Sequence, residues 1–72
     1  MEITAASPYI TKREKEILAL VAEGYTSSSI ANKLYLSIRT VENHRMNILK
    51  KLSAKNTATM IKRAQEENLL VH

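Results

Sequence analysis

The sequence predicts an all-α domain of four short helices. Three observations carry this reading. One Gly and one Pro in 72 residues leave little to interrupt a helix. No stretch alternates apolar and polar residues with the period of two that a half-buried strand needs. Four segments instead repeat apolar residues at intervals of three and four, each behind a Thr, Ser or Asn suited to capping a helix.

Residues 1–9, MEITAASPY, have small side chains, Ser7 and Pro8, and no helical period. They read as a tail or the end of a linker, and the domain is expected over 10–72. Thr11 to Glu14, TKRE, has the form of a capping box, with Ile10 before it as a staple. The first helix follows, with Ile17, Leu18 and Val21 on one face and Gly24 as its stop. Thr26 caps the second, whose short apolar face is Ile30, Ala31 and Leu34. Leu36 plugs the core from the turn, and Ser37 caps the third. Asn56 caps a fourth through about Glu67, where Asn68 tolerates the left-handed conformation that ends helices. The expected core is Ile17, Leu18, Val21, Ile30, Leu34, Leu36, Val41, Ile48, Leu52 and Ile61. Tyr25 and Tyr35 are expected as half-buried edges of the bundle.

Size and composition exclude several functions. A chain this short buries only roughly 60% of its unfolded surface, which leaves little for a deep substrate cleft. There is no Cys and no Asp, and His44 and His72 lie far apart. A metal site and paired-carboxylate chemistry have little to draw on, and no enzyme or cofactor is expected. No apolar run approaches a membrane span and no signal-peptide pattern is present, which fits a soluble cytoplasmic protein. The net charge of +4 is unevenly placed. Between Lys33 and Lys55 stand Lys33, Arg39, Arg45, Lys50, Lys51 and Lys55, against Glu42 alone. Such a zone calls for an anionic partner, nucleic acid before membrane.

The second and third helices are joined by about three residues, near Tyr35 to Ser37. That spacing suits a helix-turn-helix with a near-perpendicular crossing, and Ala31 lies where the two helices approach most closely. In LSIRTVENHRMNILKKL, Leu36 to Leu52, a helix places Val41, Ile48 and Leu52 on one side. Arg39, Asn43, Met46, Asn47 and Lys50 fall on the other, with Glu42 and Thr40 on opposite flanks. A major groove about 12 Å wide admits such a helix; Arg pairs with guanine, Asn with adenine, and Met46 can touch a thymine methyl. Lys50 is placed to neutralise phosphate. Ser37 and Thr40 near the helix start, and Thr26, Ser27 and Ser28 at the start of the second helix, offer further phosphate contacts. Arg45 lies near the seam, where it snorkels toward a phosphate or toward Glu14 or Glu16. Lys33 and Asn47 complete the phosphate set. His44 reads as a packed histidine at the seam's edge.

The stretch ITKREKEILALVAEGYTSSSIANKLYLSIRTVENHRMNILKKL resembles the LuxR/FixJ (GerE-type) DNA-binding domain. TKREKEIL, VAEG, IANKL, LS, TVENH, NILKKL and the final RAQEENLL carry the match, from about Ile10 through Leu70. The resemblance implies a four-helix domain with a central helix-turn-helix, the output part of response regulators or signal-sensing regulators, binding paired half-sites as a dimer through the fourth helix. Carried over, the base-reading positions are Arg39, Glu42, Asn43 and Met46. Four residues depart from the common pattern. Glu42 replaces a frequent lysine, Ser29 an acidic residue, Ser53 a glycine and Thr57 an arginine. Tyr35 also departs, from the glycine of many helix-turn-helix motifs.

Double-stranded DNA is thus the expected partner, with RNA polymerase a candidate second one. On the fourth helix, Ala58, Met60, Ile61 and Ala64 spread over roughly 160°, wider than one packing stripe. With Ile61 facing the core, the edge near Met60 and Ala64 is expected to meet a second copy. Two alternatives stand beside this reading: a promoter-binding region like sigma-factor region 4, and a protein-interaction bundle without DNA binding.

Overall fold

The computed structural model describes residues 10–70. Four helices follow in order: α1 Lys12–Ala22, α2 Ser27–Leu34, α3 Ile38–Lys51 and α4 Thr57–Glu66. The domain boundary expected at residue 10 and the tail before it lie at the edge of and outside the described residues. Among the described residues no helix is long and apolar enough to cross a membrane.

Each helix begins on the predicted cap. Thr11, Thr26, Ser37 and Asn56 have extended backbones, and each side chain accepts from the backbone N–H three residues on, in Glu14, Ser29, Thr40 and Thr59. At α1 the box is complete, because the Thr11 N–H donates to Glu14 Oε1 at 3.0 Å. The position that a staple would clasp is the exposed Lys15, and Ile10 instead joins the core.

The helix ends also share one device. Gly24, Tyr35, Ser53 and Asn68 all have positive φ. After each, a backbone N–H reaches back five residues: Tyr25 to Leu20, Leu36 to Ala31, Ala54 to Leu49 and Leu69 to Ala64, at 2.8–3.0 Å. This is the Schellman closure, in which the residue after the left-handed one can pack inward. Leu36, Ala54 and Leu69 pack against the core. Tyr35 is thus the backbone hinge of the α2–α3 turn, and its side chain is 94% exposed, not a half-buried edge. A left-handed residue's side chain turns away from the helix it closes, so the following Leu36 enters the core instead. Tyr25 is also on the surface, where the Lys33 ammonium lies 5.7 Å from its ring centroid.

The core joins all four helices through Ile10, Ile17, Leu18, Val21, Ile30, Ala31, Val41, Ile48, Leu52, Met60 and Ala64. α3 is central, packing on α1, α2 and α4. Leu34 and Leu36 sit at the margin, half-buried.

Helix α4 is rotated from the expected setting. Met60 and Ala64 have no exposed surface, while Ile61 is half-buried at the margin. The assignment of Met60 and Ala64 to a dimer surface is therefore corrected: both are spent on the monomer's own core. The reason is that the inward face of α4 must fill a space bounded by α1 and α3, and the long, flexible Met60 beside the small Ala64 does so.

Glu14 is the buried charged residue of this core, with its side chain 5% exposed. Its carboxylate receives the Thr11 N–H and, from Lys51 Nζ, contacts of 2.9 and 3.0 Å. It joins the start of α1 to the end of α3. Burial works against its charged form. The Thr11 bond, the Lys51 hydrogen bond and charge, and the charge of His44 together outweigh that and hold its pKa below the usual carboxylate value.

Two outcomes are expected. Ala64→Glu should destabilise the fold by roughly 3 kcal/mol or more, since it forces a longer, charged side chain into a filled core; thermal melting reads this directly. The second concerns pH. A depressed carboxyl pKa gives stability that is present above the unfolded pKa and lost as pH falls through the folded one. Stability should therefore decline as the medium is acidified from about pH 5. Glu14→Gln should cost about 1–2 kcal/mol at neutral pH, with the gap to the unaltered chain narrowing in acid. Parallel melting curves at pH 7 and pH 3 would show a constant gap if Glu14 were not ionised and paired.

Candidate nucleic-acid interface

The helix-turn-helix is built by α2, the turn Tyr35–Ser37 and α3. Ala31, 4% exposed, lets α2 and α3 approach, and Ile30 and Val41 are fully buried beside it. Val41, Ile48 and Leu52 anchor the inner side of α3 in the core. That fixes the rotation of α3, and the opposite face is left to solvent. Arg39, Glu42, Asn43, Met46, Asn47 and Lys50 are all exposed. Met46 is 54% exposed, a cost for an apolar side chain that contact with a partner would recover.

The polar members of this face have no competing engagements. Arg39, Glu42, Asn43, Asn47 and Lys50 make no side-chain hydrogen bond or ion pair among the described residues. They are free to bond base edges or phosphate. At 1.5 Å per residue the helix is about 21 Å long, so Arg39 and Lys50 lie near opposite ends of one outward stripe. Glu42 is its single acidic group. It can accept from cytosine and repels phosphate, so it restricts where α3 can settle.

The candidates around this stripe divide by what their side chains already do. The Thr26 hydroxyl accepts the Ser29 N–H and contacts Ser29 Oγ at 3.1 Å. Ser37 likewise accepts the Thr40 N–H and contacts Thr40 Oγ1 at 2.9 Å. Capping occupies both, leaving the free N–H groups of each first turn as the more available donors. Ser28 and Lys33 are exposed, and Thr40 is half-buried. Arg45 turns to neither Glu14 nor Glu16. Glu14 is taken by Lys51, and Glu16 pairs with Arg13 at 3.2 Å. Arg45 instead donates to Ser27 Oγ and Thr57 Oγ1. His44 is half-buried, close enough to Glu14 for its charge to be felt. The role of Thr57 as an arginine acceptor had no signal in the sequence, because nothing there shows that the starts of α2 and α4 approach the same flank of α3.

A family model, described as bacterial regulatory proteins of the luxR family, matches residues 8–64. The chain belongs to this family. It is 43% identical over 61 residues to oxygen regulatory protein NreC of Staphylococcus carnosus, a match that spans 85% of this chain and 28% of that protein. It is 53% identical over 55 residues to the uncharacterized response regulatory protein YgeK of Escherichia coli strain K12, spanning 76% of this chain and 37% of that one. Among solved structures, response regulator ChrA of a heme-sensing two-component system superposes with a TM-score of 0.82 at 30% identity, covering 96% of this chain and 32% of ChrA. A Vibrio cholera VqmA–ligand–DNA complex gives 0.80 at 28% identity, over 96% of this chain and 29% of VqmA. This luxR-family chain therefore spans about a third of the relatives it matches.

The one acidic residue of the outward stripe supplies a prediction. Glu42→Lys exchanges repulsion from phosphate for attraction. Affinity for random duplex should rise several-fold, and the salt dependence should steepen by about 0.9 in log–log slope. A titration in which random-sequence affinity is unchanged would place Glu42 away from the DNA backbone.

Proposed function

We propose that this chain binds double-stranded DNA sequence-specifically and is the output domain of a longer bacterial transcription regulator acting in the cytoplasm. One observation carries the reading. The face of α3 opposite its buried seam exposes Arg39, Glu42, Asn43 and Met46 together, with their polar groups unengaged. A helix with that face enters the major groove. Arg39 reads guanine, Asn43 adenine, Met46 a thymine methyl and Glu42 the amino group of cytosine. Lys50, Lys33, Asn47 and the first turns of α2 and α3 hold phosphates on either side. Membership of the luxR family supports this, as does the likeness to VqmA, whose structure is a complex with DNA. The response-regulator relatives favour an output domain over a promoter-binding region of polymerase or a bundle without DNA binding.

Two copies are expected on paired half-sites about one helical turn apart. With Met60 and Ala64 buried, the surface of α4 left for this is the flank carrying Ala58, the half-exposed Ile61 and Gln65. Titration on one and two half-sites reads the cooperativity directly.

The test of DNA recognition is selection of bound duplexes from a random pool, followed by titration of variants. Asn43→Ala should cost about 1–3 kcal/mol on the selected duplex and far less on random duplex, relaxing preference at one base pair. Lys50→Ala should weaken both alike and make the salt slope shallower by about 0.9. A pool that returns no enriched sequence, or equal losses for Asn43→Ala on both duplexes, would remove sequence reading from this face.

A further inference from the structure

Arg45 is the charged residue whose surroundings say most about how the interface is held. It lies half-buried on the flank of α3, between the seam and the outer face. Nη1 donates to Ser27 Oγ at 3.1 Å and Nη2 to Thr57 Oγ1 at 3.2 Å. Ser27 is the first residue of α2 and Thr57 the first of α4. Those two helices share almost no direct packing, and each rests on α3. One guanidinium thus ties together the starts of two helices that have little direct packing of their own.

The acceptors are informative because they are neutral. Arg45 makes no ion pair among the described residues. The partial positive charge at a helix N-terminus disfavours a cation, and Arg45 sits at two such ends. An acidic side chain would serve stability better there. What arginine offers instead is a planar fork that reaches two acceptors at a fixed spacing. The effect on Ser27 is specific. Its oxygen accepts from Arg45, so its own proton is turned away from the guanidinium, at the opening turn of α2. That turn is where the leading helix of a helix-turn-helix crosses the DNA backbone.

We propose that Arg45 is a positioning residue. Held at one end by Thr57, it sets the Ser27 hydroxyl and the first turn of α2 to receive a DNA phosphate, and makes no phosphate contact of its own. The proposal rests on the DNA-binding reading above. It also gives Thr57, which is remote from the base-reading face, a part in binding affinity.

The experiment titrates five chains by fluorescence anisotropy against the selected duplex over a salt series, with thermal melting alongside: unaltered, Arg45→Lys, Arg45→Met, Thr57→Val and the double variant with Arg45→Met and Thr57→Val. Lysine keeps the charge, but its single ammonium does not reproduce the two-pronged fork. Arg45→Lys and Arg45→Met should weaken binding by similar factors, about tenfold, with the salt slope unchanged. Thr57→Val, of nearly the same shape, should weaken it about threefold and add nothing in the Arg45→Met background. Recovery of most affinity by Arg45→Lys, with a slope shallower by about 0.9 in Arg45→Met, would make Arg45 a direct phosphate contact and overturn the proposal. So would wild-type affinity in Thr57→Val. If Arg45→Met does not fold, Arg45→Lys and Thr57→Val decide the matter between them. An unaltered chain that binds no duplex would overturn the DNA reading and this proposal with it. Firm binding by the unaltered chain and by every variant alike would sink the positioning role alone.

Discussion

The burial of Val41, Ile48 and Leu52 on one side of α3 is the constraint on which the rest depends. These three side chains are 0–3% exposed and lie where α1, α2 and α4 meet α3. Fully burying one such side chain contributes about 1.5–3 kcal/mol, so turning α3 about its axis by even one residue position would forfeit several kcal/mol. The rotation of α3 is therefore fixed by the core, and with it the direction of Arg39, Asn43, Met46 and Lys50. The outward face needs no support of its own, which is why its polar groups are free of internal partners.

Electrostatics follow the same division. Basic residues that point outward, such as Arg39 and Lys50, have no internal partner. Lys51 and Arg45, on opposite flanks of the same helix, are engaged with α1 on one side and with α2 and α4 on the other. One charged helix thus leaves its face exposed and fastens the bundle with its flanks. The caps add a second division. Thr26 and Ser37 spend their hydroxyls on capping α2 and α3, and other backbone N–H groups of each first turn stay without a helix partner.

Much of this was legible in the sequence. Thr11, Thr26, Ser37 and Asn56 announce four helix starts because a capping side chain acts within three residues, and local chemistry suffices. The seam of α3 was legible because its apolar residues fall within one narrow arc. Three features were not. On α4, Met60, Ile61 and Ala64 are all apolar and spread too widely to show which faces inward; the neighbours decide, and they chose Met60 and Ala64. Tyr35 and Ser53 adopt a left-handed backbone that sequence reasoning reserves for Gly or Asn; the informative signal was the apolar residue after each, Leu36 and Ala54. Arg45 reads in the sequence as a partner for Glu14 or Glu16, and Lys51 takes Glu14 instead, a choice set by how the helices sit around α3. The outward face itself was readable as a set of residues, while the hydroxyls of Ser27 and Thr57 that steady its flank come from segments 18 and 12 residues away.

Whether the outer face of α3 lies in the major groove is decided by one chemical experiment. Partial methylation of the selected duplex marks guanine N7, which faces the major groove, and adenine N3, which faces the minor groove. Sorting bound from free duplex then shows which marks interfere with binding. With α3 in the major groove, methylation of guanine N7 within each half-site should abolish binding, and adenine N3 marks there should be tolerated. Interference confined to adenine N3, with N7 methylation without effect, would contradict it.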